Sequence, residues 1–436
     1  MNFLALVDQL NLWFELPATV TFFAAAIFLT IKLNFIQLRS FGRFLNLITT
    51  GVAVDDHNGK IRTITPIQAL FTAMSTTIGV GNVVGPSIAI LAGGPGALFW
   101  LVVYVFFASA TKYTEVTFAL ATRTEYKDGY ILGGPTQYLR LISPIIANWY
   151  GLVTIFLFAS WSGVQANTLA EILKQEGVAS WMTGLVLASL VILVLFGGAK
   201  RVGLLASKLV PIMFVLYITF SGLILFQNLA ALKAACVLIF GNIFAPASAV
   251  GGFLGATIFQ GMKSGAYQAA YITEAGVGTS SIPHAISDAK RPSDQGVLAL
   301  YSMIADGMLC LVSGLLVLVT GVWKSNCEMT SRLIYDVFKL HSPVLGKWIL
   351  LASVSMFVIT TVIGNGFNGA QSFGSFTRHR GIKTYFVFVA LVTFFGSISS
   401  VPAVWKIMSL LLVLVAIPNL IGLVLLSIKY PKKLVD

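Results

Sequence analysis

Eleven stretches of roughly twenty mostly apolar residues, joined by short loops, fix what this chain can fold into, because about that length of helix crosses a bilayer core. They fall near 12–32, 66–92, 96–122, 147–170, 178–199, 209–231, 249–275, 296–323, 346–376, 384–399 and 404–428. Only 10% of the 436 residues are charged and mean hydropathy is +0.88, whereas a soluble protein carries roughly 25% charged residues. No stretch has the charge density of a water-soluble domain, so one membrane domain over 1–436 is expected. The net charge of +12 does not indicate nucleic acid, because the basic residues sit in short loops between apolar runs. The N-terminal stretch lacks a basic region and a small-residue cleavage site, so the first run is expected to stay as a membrane helix. Cys236, Cys310 and Cys327 show no metal-ligand spacing.

Orientation follows from lysine and arginine, which favour cytoplasmic loops. With the basic C-terminus (Lys429, Lys432, Lys433) inside and eleven spans, the N-terminus is outside. Nineteen of the 28 basic residues then fall on the cytoplasmic side and seven outside, which supports the odd count. Between Lys324 and Lys347, the spacing of Leu333, Ile334, Val337 and Phe338 predicts a short amphipathic surface helix.

The second run contains STTIGVGNVVGP (75–86), with Gly79, Gly81, Gly85, Pro86 and Asn82 at mid-depth. In a helix interior, glycine costs about 1 kcal/mol and proline about 3 kcal/mol relative to alanine, and freed backbone groups in lipid must find partners. The cluster reads as a helix broken to bind a ligand; the alternative is close helix packing through small residues. The seventh run behaves alike, with glycines throughout and Gln260, Lys263 and Ser264 near its middle. Two interrupted helices in corresponding halves point to a transporter site. Helices two to six and seven to eleven then form two inverted sets of five (66–231 and 249–428), and residues 12–33 form an extra N-terminal helix. A half-helix N-terminus suits a substrate carboxylate, and unwound carbonyls with hydroxyls suit a sodium ion.

Further stretches carry a resemblance. IGVGNVVGPSIAILAGGPGALFW (78–100), GGPTQY (133–138), QAN (165–167), GGAKRV (197–202), ITEAGVGTSSIPHA (272–285), KRPSDQG (290–296), IADGMLC (304–310) and IPNLIGLVLLS (417–427) follow in order. This series resembles the alanine or glycine:cation symporter family. The resemblance implies a leucine-transporter-like all-α fold and uptake of alanine, glycine or similar amino acids with sodium, or alternatively protons, across a bacterial inner membrane. It places Thr77, Gly79, Gly81 and Asn82 at the first break, Gln165 beside the substrate, and Phe259, Gln260 and Gly261 at the second break. Thr360 and Thr361 become hydroxyl ligands for sodium. Asn365 stands where the family has a tryptophan and Ala370 where it has a glutamate, which implies a larger, more polar pocket and a substrate bulkier or more polar than alanine.

Ionisable residues within the runs are functional candidates. Asp306, the most deeply placed acid, is expected in gating or ion coupling with Lys263 as its partner. Glu274 is expected to anchor an inner gate through Lys290 or Arg291. Lys112 and Glu115, three apart, read as an interfacial ion pair, and His284 as a helix-end contact. No HExxH, GxSxG or paired intramembrane aspartates argue for an enzyme. A channel, or the same fold carrying another small solute, are the remaining alternatives. No cofactor and no obligate protein partner are expected.

Overall fold

The computed structural model describes residues 3–54, 63–126, 130–244, 258–324 and 332–434. Its α-helices of five residues or more are α1 (Phe3–Lys32), α2 (Phe41–Thr50), α3 (Pro66–Thr77), α4 (Val80–Gly93), α5 (Gly96–Ala121), α6 (Pro144–Lys174), α7 (Ser180–Leu195), α8 (Gly198–Gln227) and α9 (Leu229–Gly241). There follow α10 (Ile258–Thr273), α11 (Ser281–Ala285), α12 (Pro292–Thr320), α13 (Arg332–His341), α14 (Leu345–Thr377), α15 (Ile382–Ile398) and α16 (Val401–Lys429). One two-residue hairpin, β1 (Thr124–Glu125) with β2 (Ile131–Leu132), follows α5 and pairs Thr124 with Leu132.

Among the described residues, seven helices (α1, α5, α6, α8, α12, α14 and α16) are long and apolar enough to cross a bilayer, and α3 with α4 makes an eighth span bent by 41°. The shorter apolar helices α7, α9 and α15 stand beside them. Apolar side chains turn outward along these helices: Ile145 is 81% exposed, Phe226 71% and Val237 66%. A surface of that kind faces lipid rather than water.

Most expected runs appear with longer ends. The sixth does not: in place of 209–231, α8 begins at Gly198 and α9 adds Leu229–Gly241. Lys200, Arg201 and Lys208 therefore lie on a helix, not in a loop. The chain breaks at Asn228, whose side-chain amide donates to the Ile224 carbonyl at 2.8 Å, a local competition with the helix ladder. The amphipathic helix expected after Lys324 is α13, and it buries Leu333, Ile334, Val337 and Phe338.

Local chemistry explains the first break. Thr65 caps α3: its hydroxyl accepts the Gln68 N–H at 3.2 Å and the Gln68 side chain accepts the Thr65 N–H at 3.2 Å, with Pro66 in the first turn. The helix ends at Thr77. Gly79 is extended (φ −143°, ψ −166°), and its N–H donates to Asn82 Oδ1 at 2.9 Å, so Asn82 starts α4 as a side-chain cap. Around this break, α4 packs on α10 and α12, and α3 on α8 and α14. α6 packs on α14, α15 and α16, while α1 lies against α5 and α16.

Candidate functional site

A second discontinuity separates α10 from α11. Glu274 takes a left-handed conformation (φ 57°) and Gly278 has φ 87°, a region that costs an L side chain roughly 1–2 kcal/mol. The break expected at Phe259, Gln260 and Gly261 therefore lies more than three turns further along. Those three residues are helical, in the first turn of α10. Gly261 packs backbone to backbone on Gly93, Gln260 lines a separate cavity, and the side chain of Phe259 lies outside the described residues. Glycines there permit a close helix crossing, which the sequence pattern alone does not distinguish from a break.

The unwound segment is held by side chains from three other helices. From α5, Lys112 Nζ donates to the Thr273 carbonyl at 2.7 Å, Tyr104 to the Ala275 carbonyl at 3.0 Å, and Glu115 Oε1 accepts the Gly276 N–H at 2.9 Å. From α6, Tyr150 donates to the Val277 carbonyl at 2.8 Å. From α16, Asn419 Nδ2 donates to the Gly276 carbonyl and to Glu115 Oε1, both at 3.0 Å. Lys112 and Glu115 are thus fully buried and bind backbone, not each other across an interface. Buried backbone groups need partners, and here the protein supplies them. Glu274 Oε2 accepts from Thr279 at 2.5 Å in place of Lys290 or Arg291. His284, also buried, meets Gln295 Nε2 through Nδ1 at 2.6 Å.

The first break is held differently. The Val80 N–H donates to Gln165 Oε1 at 3.2 Å, Thr361 Oγ1 to the Ile78 carbonyl at 3.3 Å, and Thr77 Oγ1 to Asp306 Oδ1 at 3.2 Å. Asn82 Nδ2 reaches the Asp306 carbonyl at 3.4 Å. Three buried atoms around it have no hydrogen-bond partner: Asp306 Oδ2 and both amide atoms of Asn365. A buried polar group without a partner costs about 1–3 kcal/mol.

Between the two breaks lies a cavity of about 20 Å³. Of the residues expected at a site, Thr77, Gly79, Gly81, Gln165, Thr361 and Asn365 line it, joined by Glu274 from the second break. Thr76, Trp161, Tyr271 and Ile272, which the sequence did not single out, complete the wall. Gly79 is needed here for close approach: a Cβ on it would stand 2.8 Å from Thr361 Oγ1 and 3.0 Å from Gln165 Nε2. Asn82 lies just behind, against Asp306. Thr360 is not in the wall, since its hydroxyl turns to the Met356 and Phe357 carbonyls at 2.8 and 3.0 Å. Lys263 does not meet Asp306; it pairs with Glu15 of α1 at 2.6 Å. Among the described residues no cluster of three or more His, Cys, Asp or Glu side chains is placed to hold a metal. The oxygens of Thr77 and Asp306, and of Thr361 and Ile78, are paired with one another and are of the hard type that binds cations such as calcium.

Comparison with known proteins agrees with this architecture. The profile of the Sodium:alanine symporter family matches residues 2–436. The sodium/alanine symporter AgcS of Methanococcus maripaludis is 32% identical, covering 98% of this chain and 95% of that protein. The probable sodium/glutamine symporter GlnT of Bacillus subtilis is 28% identical, covering 95% and 86%. Among solved structures, MhsT in complex with L-phenylalanine superposes with a TM-score of 0.62 at 14% identity, covering 86% of this chain and 91% of that one. A sodium-coupled sialic acid symporter gives 0.59 at 10% identity, covering 89% and 82%. These likenesses place the fold among such transporters, and the match along essentially the whole sequence makes the chain a multi-pass membrane transport protein that belongs to the sodium:alanine symporter family.

Proposed function

We propose that the protein is a secondary active symporter that imports a small neutral amino acid together with sodium, by alternating access. The observation that carries this reading is the set of unpartnered buried atoms, Asp306 Oδ2 and the Asn365 amide, gathered where a transmembrane helix is interrupted. The N-terminus of α4 faces the cavity and presents positive potential to a substrate carboxylate. Gln165 and Asn365 offer hydrogen bonds to the rest of the substrate. Thr361, Thr77 and Asp306 with the Ile78 carbonyl receive the sodium ion as cargo. A cavity of about 20 Å³ holds roughly one water, so substrate binding requires the walls to part, as alternating access demands.

In this reading α3 to α8 and α10 to α16 form the two inverted sets of five, α1 is the extra helix, and the chain crosses a bacterial inner membrane eleven times with its N-terminus outside. Asn365 favours a substrate bulkier or more polar than alanine. Coupling to protons is the second reading, favoured by the unpartnered Asp306 oxygen, which a proton satisfies as a sodium ion does. Proteoliposomes containing the pure protein test both. Uptake of labelled alanine driven by an inward sodium gradient supports sodium symport, uptake driven by a proton gradient alone supports the second reading, and uptake of glutamine or serine in place of alanine locates the specificity at Asn365.

A further inference from the structure

A second and much larger space lies between α1, α4, α10 and α16. One lobe, of about 340 Å³, is bounded by Ile88 and Ala92 of α4, Gln260 and Ser264 of α10, and Pro402 of α16. The other, of about 420 Å³, runs along α1 past Asp8 and Asn11. Glu15, Tyr267, Trp405, Lys406 and Ser409 belong to both lobes. A volume of this size is typical of small-molecule sites, and the central cavity is far smaller.

The charges that line this space are paired. Lys263 Nζ meets Glu15 Oε2 at 2.6 Å, and Lys406 Nζ meets Asp8 Oδ2 at 2.6 Å. Each ammonium has three donors, so each lysine keeps further donors and each carboxylate keeps a second oxygen. Asp8, Glu15 and Lys406 line the space and Lys263 is paired to Glu15, so the wall offers charge of both signs to a small molecule that carries one of each. Trp405 and Tyr267 add aromatic surface against which an ammonium group is attracted.

The space and the central site lie along the same helix. Gln260, Ser264 and Gln268 recur every fourth residue along α10, so they form one polar column on one face. Tyr271 and Ile272, which line the central cavity, follow within the next turn. At the deep end of the column Gln268 is 9% exposed and its Oε1 has no hydrogen-bond partner.

We propose that this space is a second binding site, peripheral to the central one, for a zwitterionic amino acid, and that α1 exists in part to supply its acidic wall. This rests on the amino-acid reading above. The ligand's carboxylate binds at Lys406, its ammonium at Glu15 and against Trp405, and the column through Gln268 runs along α10 toward the central cavity. α1 contributes Asp8, Asn11 and Glu15, so without it the site has no anionic partner for the ammonium.

The test is equilibrium dialysis of labelled L-alanine, and separately of L-glutamine, against the purified full-length protein. Two molecules bound per chain are expected. Replacing Glu15→Gln and Lys263→Met together removes both charges without orphaning either, and should reduce the stoichiometry to one. Gln165→Ala, in the central site, should also leave one, and the two residual sites should differ in affinity. A wild-type stoichiometry of one, abolished by Gln165→Ala and untouched by the double variant, overturns the peripheral site and leaves the symporter reading intact. No binding of either amino acid overturns both.

Discussion

The two helix breaks use opposite strategies. At the second, between α10 and α11, the freed backbone groups of residues 273–277 are taken up by Lys112, Tyr104, Glu115, Tyr150 and Asn419. At the first, between α3 and α4, contacts are fewer and longer, and Asp306 and Asn365 are left with unused polar atoms. The second break is more densely bonded although Glu115 Oε2 has no partner, and denser polar networks are the more rigid. The second break is thus held chiefly by side chains that fix Tyr271, Ile272 and Glu274 in the cavity wall, and the first is where the proposed function places the ligands.

The comparison is broken most forcefully at Glu115. Glu115→Ala removes one of the anions around the buried Lys112 and leaves the Gly276 N–H without its acceptor. Loss of one partner from a buried ionic network costs about 3–5 kcal/mol, so the melting temperature of the purified protein should collapse. Glu115→Gln keeps the acceptor oxygen and should retain most of the stability; equal damage by both changes would show that the hydrogen bond to Gly276 is not what matters.

Gly79→Ala acts at the other break. Its Cβ would intrude to 2.8 Å from Thr361 Oγ1, and overpacking of this kind costs about 1–3 kcal/mol. Transport should be lost while folded protein is still recovered, as uptake and size-exclusion profiles would reveal. The neighbouring threonines sharpen the contrast. Thr361→Ala should raise the sodium concentration for half-maximal uptake about tenfold, the equivalent of about 1.4 kcal/mol. Thr360→Ala, which removes a hydroxyl turned away from the cavity, should shift it little.

The smallest effect lies far from both breaks. Glu176, in the loop after α6, accepts from the Tyr335 hydroxyl of α13 and from Lys347 at 2.9 Å, and these contacts hold its carboxyl below the usual range. A lowered folded-state value means stabilisation present above the unfolded value of about 4.3 and lost as pH falls through the folded one. Glu176→Gln should therefore flatten the fall in melting temperature below pH 4 slightly and leave the breaks untouched.

Much of this was legible in the sequence. Hydropathy gave nearly every helix, and the glycines with Asn82 located the first break, because a mid-span cluster of helix-breaking residues has few other meanings. The second break was misplaced, because Gly261 and Gly265 serve close crossings with α4 and α5 and look the same in sequence as hinge glycines. The true break is carried by Glu274, Gly276 and Gly278, whose left-handed conformations are a property of the fold. The partners of Lys112, Lys263 and Asp306 were beyond sequence reasoning, since spacing along one helix says nothing of residues 160 or more positions away. The tyrosines and Asn419 inside apolar runs were the available signal, as polar tips in lipid-embedded helices seek buried partners.

The most direct test of the claim that the first break is the binding site is the sodium dependence of labelled amino-acid uptake by Asp306→Asn in proteoliposomes, at matched amounts of folded protein. The account predicts a wild-type melting temperature together with uptake that no longer rises with the sodium gradient. Uptake with the wild-type sodium dependence would show that neither ion nor substrate draws on Asp306, and the ligand site would have to lie elsewhere.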